Sequence, residues 1–428
     1  MVHKPNQPVT LANTRIVEID GRTTHEAAVT VRLQVFPNPI VEIESDELPP
    51  KVFDKERFGV VLADGQRFEA ILRTRTPGTR KGTLAPVTQP VTVIDKRVPL
   101  REVHFSIFNF PTILGKQTKH TNNRERGTAI PHTLIEASGW TIEMMGVLNI
   151  WDVEKRLNRE RGFGVTYNGR IRRLDGAVFT VEEVETLLNA LRVFLSFARG
   201  AWCSFASAKG KDENGNQSWL RWGARYVAPW NGNRLSWFRS HGGDDILSDL
   251  FPKFWNLIAS GDGWEEALFR AIDWYLISNE SALHVGIILN QAALERLSCQ
   301  ILQRRKKSKE PAGRFLCEAF QVSNLDPQIP RSCTELKGLQ KAHAHCWENG
   351  LHLLVDIRND LIHPTTKRRI AFHHAHLEAW NLGQWFIEML LLRSLDYQGE
   401  YYNRLTTQHN DKESFVLVPW AQRGQGGS

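Results

Sequence analysis

Three side chains suited to one chemistry fall within a short run, Val355-Asp356-Ile357-Arg358-Asn359-Asp360-Leu361-Ile362-His363-Pro364. RNA can be cut without a metal when the neighbouring 2′-hydroxyl attacks the phosphate. The protein must then move protons near neutral pH and hold the phosphorane oxygens. Histidine titrates in that range. Arginine presents a fixed fork of donors that meets a phosphate bidentately. His363 is therefore read as general base or acid, Arg358 as the phosphate clamp, and Asn359 as an amide that orients His363 or the phosphate. On a helix, Asn359 and His363 share a face and Arg358 is offset. Pro364 biases His363 away from helical geometry, which predicts an imidazole at a helix end facing a surface cleft. Asp360 and Glu295 are supporting candidates. Glu295 lies on an otherwise apolar stripe and could pack against Arg358 or face water.

Arg-to-His spacings alone are weak evidence, and the chain holds decoys: Arg97…His104, Arg126…His132, Arg368…His373 and Arg369…His374. The asparagine directly after Arg358 separates this run from them. In that feature the run resembles the HEPN superfamily, whose signature is Arg, often followed by Asn, with His four to six residues on. The resemblance covers roughly residues 264–396. It includes Ala292-Ala293-Leu294-Glu295-Arg296-Leu297, similar to the helix that packs against the motif. The arrangement is closest to bacterial defence proteins of the ApeA kind, with a C-terminal HEPN domain. That resemblance implies a metal-independent endoribonuclease that leaves 2′,3′-cyclic phosphate ends and needs no cofactor. It also implies pairing of two HEPN domains into a homodimer or higher oligomer. The implied role is an antiphage, abortive-infection effector that cuts host RNA, tRNA among the candidates, on a phage-derived trigger. Some HEPN domains keep the fold without the activity, so the alternative is a catalytically inactive RNA- or protein-binding assembly module.

The elements that must position these residues are helical. Helical periodicity predicts helices at 245–260, 264–278, 280–304, 312–322, 333–346, 349–362 and 370–396. The 280–304 segment is apolar over a wide arc, as expected inside a bundle. Trp380, Trp385, Phe386, Met389 and Leu390 exceed the needs of one bundle seam and predict a self-associating apolar patch. Upstream, Thr180-Val181-Glu182-Glu183 fits a capping box. The first 175 residues or so read as strands. Asp64-Gly65 marks a hairpin between Val60-Leu62 and Phe68-Leu72. Val91–Ile94 and Val103–Phe108 are further strands, and Trp140–Ile150 is strand or helix. Thr74–Pro90 reads as an exposed basic loop. Leu220–Tyr226 alternates as a strand, with Asn231-Gly232 turning into 235–238. The expectation is an α+β chain, with a β-rich N-terminal region followed by a C-terminal all-α HEPN bundle. Its parts are a sensing or scaffold domain at 1–175, a helix and Trp-rich hairpin at 176–243, and the HEPN domain at 244–428.

Composition narrows the class. Of 428 residues, 41% are hydrophobic and 24% charged, which excludes a disordered or collagen-like chain. A net charge of +7 permits a polyanionic partner such as RNA. Arg304, Arg305, Lys306 and Lys307 end a helix and are read as a weak RNA-steering patch or a solvated face. The Trp-rich 219–238 segment is read as core rather than a base-stacking platform. Five cysteines without a CxxC pair suggest reduced thiols. Seven histidines lie between 343 and 376, but their spacing fits no usual tetrahedral zinc pattern, and a metal-binding regulator is the third reading. The polar start of the chain and the lack of a long apolar run predict a cytoplasmic protein with no membrane partner. No P-loop, GxGxxG after a strand, or GxSxG elbow occurs.

Overall fold

The computed structural model describes residues 4–19, 23–48, 57–61, 67–77, 79–88, 90–94, 99–120, 128–232, 236–363, 370–406 and 415–421. The chain forms two compact units. One comprises residues 1–192 and 202–233, the other 193–201 and 234–428.

The first unit begins with alternating apolar residues that close into a barrel. Its strands are β1 (Val9–Ile19), β2 (Thr23–Gln34), β3 (Ile40–Ser45), β4 (Phe58–Val61), β5 (Arg67–Arg75) and β6 (Gly82–Pro86), in the order β1-β2-β3-β6-β5-β4. Val29, Val31, Leu33, Val41, Ile43 and Leu84 point inward, as the period of two requires. The Asp64-Gly65 turn lies outside the described residues, but β4 and β5 pair antiparallel as the hairpin predicts. The basic loop expected over Thr74–Pro90 is corrected. β5 runs on to Arg75, and Gly82, Leu84 and Pro86 of β6 are buried. Pairing with β3 and β5 overrides the turn-rich composition.

An eight-stranded sheet comes next in the same unit. It is built from β7 (Val91–Ile94), β8 (Glu102–Phe108), β9 (Gln117–His120), β10 (Thr128–Ala137), β11 (Trp140–Gly146), β12 (Val165–Arg173), β13 (Ser204–Lys211) and β14 (Gln217–Trp222). The order is β7-β14-β13-β8-β12-β11-β10-β9. Helix α1 (Ile150–Glu160) precedes β12, and α2 (Val181–Arg199) precedes β13. The capping box is formed: the Glu183 N–H donates to Thr180 Oγ1 at 3.2 Å and the Thr180 N–H to Glu183 Oε2 at 2.8 Å. The expected 219–238 hairpin is not seen among the described residues. β14 ends at Trp222 and pairs with β13 and β7. Gly223 turns the chain with φ +90°, and Trp237 is buried without joining a strand. Trp219 and Trp222 are core residues, as expected.

The second unit is helical: α3 (Gly243–Ala259), α4 (Trp264–Glu280), α5 (Leu283–Ile301), α6 (Ala312–Val322), α7 (Thr334–Ala342), α8 (Gly350–Ile362) and α9 (His376–Ser394). Apolar periodicity placed these helices closely, because most bury apolar residues at helical spacing against their neighbours. α5 approaches α9 at Gly286, where a Cβ would lie 2.7 Å from Trp380 Nε1. A buried polar row supports the contact. Asn290 Nδ2 donates to the Trp380 carbonyl at 3.0 Å, and Gln384 Nε2 donates to Asn290 Oδ1 at 2.7 Å.

The apolar excess on α9 does not form an exposed patch. Phe386, Met389 and Leu390 are buried, and Trp385 Nε1 donates to the Tyr401 hydroxyl at 3.0 Å. Tyr397, Tyr401, Leu405, Val418 and Trp420 of the segment beyond α9 are buried too, with a short ribbon of β15 (Glu400–Tyr402) and β16 (Phe415–Leu417). Among the described residues, no helix is long and apolar enough to cross a membrane.

Candidate active site

Helix α8 carries the Arg-Asn-x3-His run. Asn349 caps its start, with Oδ1 accepting the His352 N–H at 3.1 Å. Leu351, Leu353, Leu354, Val355 and Ile357 bury its inner face. The polar residues are left on the other side, where Asp356 Oδ2 accepts from Trp347 Nε1 at 2.9 Å. The helix stops at His363, whose backbone leaves helical geometry at φ −124° and ψ 65°. The His363 N–H still donates to the Asn359 carbonyl at 2.7 Å, and its side chain is exposed. Pro364 lies outside the described residues. Arg358 is half-buried. Its Nη1 donates to Asn359 Oδ1 at 3.1 Å, and its buried Nε has no hydrogen-bond partner. The neighbouring amide thus helps to hold the guanidinium in place.

Other imidazoles gather around the N-termini of α5 and α9. The rings of His284 and His376 meet edge to face, 5.0 Å apart, and those of His373 and His374 stand 3.7 Å apart. Burial holds His376 below the ordinary imidazole pKa, and the positive fields of His284 and His373 add to this; Asp360 pulls the other way. Asp360 is therefore within electrostatic reach of His376, one turn before His363. Exposed Leu283 and Val285 begin α5, Leu377 begins α9, and Ile362 ends α8. Sequence reading counted His376 only within the histidine cluster of the metal-binding reading and did not single out His284. The two are 92 residues apart (376 − 284), so no local spacing signalled their contact. No group of three or more His, Cys, Asp or Glu side chains among the described residues is placed to hold a metal ion.

Two further candidates have partners of their own. Glu295 accepts from Gln291 Nε2 at 2.8 Å on the same helix, and among the described residues no ion pair joins it to Arg358. Arg304 forks onto both oxygens of Glu310 at 3.0 Å and also bonds Glu318. Arg304, then the Lys307 N–H, hold Glu310 down to a pKa of about 2. Lys306 Nζ donates to the Glu310 carbonyl at 3.2 Å. The run is thus a carboxylate-stapled turn in which Arg305 and Lys307 remain exposed.

The architecture defines a two-unit chain, with a closed barrel and eight-stranded sheet in one unit and a helical bundle bearing the Arg-Asn-x3-His run in the other. Residues 95–233 match the family described as YopA central domain, and residues 261–414 match the YopA C-terminal domain. The chain is similar to the SPbeta prophage-derived uncharacterized protein YopA of Bacillus subtilis (strain 168). The two are 24% identical over 373 residues, which is 83% of this chain and 80% of the relative. No solved structure matches the chain.

Proposed function

We propose that the helical unit is a metal-independent endoribonuclease of the HEPN kind, with its site at Arg358, Asn359 and His363. The observation that carries this reading is the exposed imidazole of His363 at the helix end, five residues after a half-buried guanidinium that Asn359 helps to hold. His363 takes the proton of the attacking 2′-hydroxyl or returns one to the departing 5′-oxygen. The 2′-oxygen–phosphorus bond forms and the phosphorus–5′-oxygen bond breaks, leaving a 2′,3′-cyclic phosphate and a 5′-hydroxyl. Arg358 holds the equatorial oxygens as charge builds on them. A second copy supplies the second proton carrier, as the HEPN resemblance implies. In the same reading, the barrel-and-sheet unit senses a phage-derived trigger in the cytoplasm, and the product of activation is cleaved host RNA. The prophage origin of the relative supports a setting of conflict between phages.

The test is incubation of the protein with total RNA in EDTA, with mapping of the resulting ends. Cyclic phosphate ends that survive chelation are expected. His363→Ala should slow single-turnover cleavage at least ~100-fold, the low end for losing a general acid–base group. Arg358→Lys keeps the charge but loses the fork, and should also be strongly impaired. His374→Ala should be mild. Activity that vanishes in EDTA and returns with magnesium or manganese would sink the mechanism. Full cleavage by a folded His363→Ala protein would leave the inactive RNA- or protein-binding module as the better account.

A further inference from the structure

The first unit holds a cavity of about 340 Å³ lined by Arg101, Glu102, Thr141, Arg172, Arg173, Leu174 and Gly176. That volume lies at the low end of small-molecule sites. Three arginines border it from the end of β12 and the start of β8, although Arg172 and Arg173, being consecutive on β12, leave opposite faces of the strand. Arg172 on β12 stands opposite Thr141 on β11, and Glu102 opens β8 on the other side of β12. Arg101 immediately precedes β8, where its N–H donates to the Lys211 carbonyl at 2.7 Å. The turn after β12 closes the cavity through Gly176, with φ +75°. A Cβ there would lie 3.2 Å from Arg101 Nη2, so glycine suits both the backbone and the guanidinium beside it.

The charges do not cancel within the cavity. Arg173 pairs with Glu183 and lies 3.7 Å over the Trp140 ring. Glu102 is already taken. His104 Nε2 and Lys211 Nζ contact its Oε1 at 2.9 and 3.0 Å, and the first of these bonds leads in holding its pKa down to about 2. Arg101 and Arg172 have no carboxylate partner among the described residues. Arg101 and Arg172 both line the cavity, and two guanidiniums without a carboxylate partner call for a dianion whose oxygens match their forks. A carboxylate supplies one negative charge and a phosphodiester one. A phosphomonoester supplies close to two at neutral pH, because its second pKa is about 6.

We propose that this cavity binds a phosphomonoester, with Arg101 and Arg172 as its phosphate ligands and Arg173 as the fixed third wall. The site is separate from Arg358 and His363 and stands or falls independently of the nuclease reading. Calorimetric titration of the full chain at low salt and pH 7.5 tests it. The probes are inorganic phosphate, adenosine 5′-monophosphate, adenosine and cyclic adenosine monophosphate. Phosphate and the monophosphate should bind, adenosine should not, and the cyclic diester should bind more weakly. A monophosphate tighter than phosphate marks a nucleotide as the source of the group, whereas equal affinity marks the phosphate alone; both support the site. Arg101→Gln with Arg172→Gln should weaken monophosphate binding roughly tenfold or more, the scale of a lost charge-assisted pair. Both side chains are exposed, so the unliganded melting temperature serves as the folding control. Lowering the pH of the wild-type titration towards 5 should weaken binding as the ester loses its second charge, which needs no variant. Absence of binding by every probe, equal binding of adenosine and its monophosphate, or unchanged binding by the folded double variant would overturn the proposal.

Discussion

Arg358 commits one donor, Nη1, to Asn359 Oδ1 and leaves Nε without a partner. That asymmetry makes Asn359 a positioning residue rather than a second clamp. Asn359→Leu removes the acceptor and frees the guanidinium, while the backbone bond from His363 to the Asn359 carbonyl persists. Cleavage should fall roughly tenfold, as expected for a hydrogen bond to a charged group, with RNA affinity and melting temperature nearly unchanged. Wild-type rates from Asn359→Leu would remove Asn359 from the site. The helix end at His363 was legible in the sequence because a proline and an i, i+4 spacing are local signals. The His284–His376 contact was not, because it depends on how α5 packs beside α9. The basic run at 304–307 was legible only in part, for a related reason. Charge composition shows an arginine but not the Glu310 and Glu318 oxygens that fold back onto Arg304.

Among the elements, α2 shows how much a local pattern can decide. Thr180 and Glu183 form the reciprocal cap that their spacing predicts. Thr180→Ala should therefore cost about 1 kcal/mol, seen as a lowered denaturant midpoint of the first unit. β13 was illegible. Its Ser-Phe-Ala-Ser-Ala-Lys-Gly-Lys sequence has little strand propensity, and it is a strand because β8 and β14 flank it. α1 went unread too, since it is short and only Ile150, Val153 and Leu157 are buried. On the same sheet, Glu102 links β8 to β13 through Lys211. His104, then Lys211, draw its folded pKa from 4.5 down to about 2 against the opposing effect of burial. A carboxylate with a depressed folded pKa stabilises fully above its unfolded value and loses that contribution as pH falls through the folded one. The sheet should therefore weaken between pH 4.5 and about 2. Carboxyl NMR titration checks this directly: Glu102 should titrate near 2 in the wild type and closer to 4.5 in His104→Ala. A normal Glu102 titration would remove the pair from the account of acid stability.

At the scale of the whole chain, the helical unit is completed by the segment beyond its last helix. Arg404 and Glu388 are fully buried, with Arg404 Nη2 donating to Glu388 Oε1 at 2.6 Å. The Tyr275 hydroxyl donates to the same oxygen at 2.6 Å and accepts from Arg404 Nη2 at 3.1 Å. The cluster joins α4, α9 and the segment after β15. Burial alone would lower the Arg404 pKa, but the adjacent Glu388 carboxylate more than reverses that, so the guanidinium stays charged. A buried pair of this kind adds little over a well-packed apolar replacement, yet losing one partner strands the other charge. Arg404→Met should destabilise the helical unit by about 3–5 kcal/mol. The double change Arg404→Met with Glu388→Leu should recover much of that loss, because no uncompensated charge remains. Tyr401, Leu405 and Trp420 would still be buried, so the segment should stay packed. Denaturant unfolding of the four proteins closes the cycle. Equal destabilisation by the single and double variants would show that packing of the segment, and not the charge pair, holds it in place.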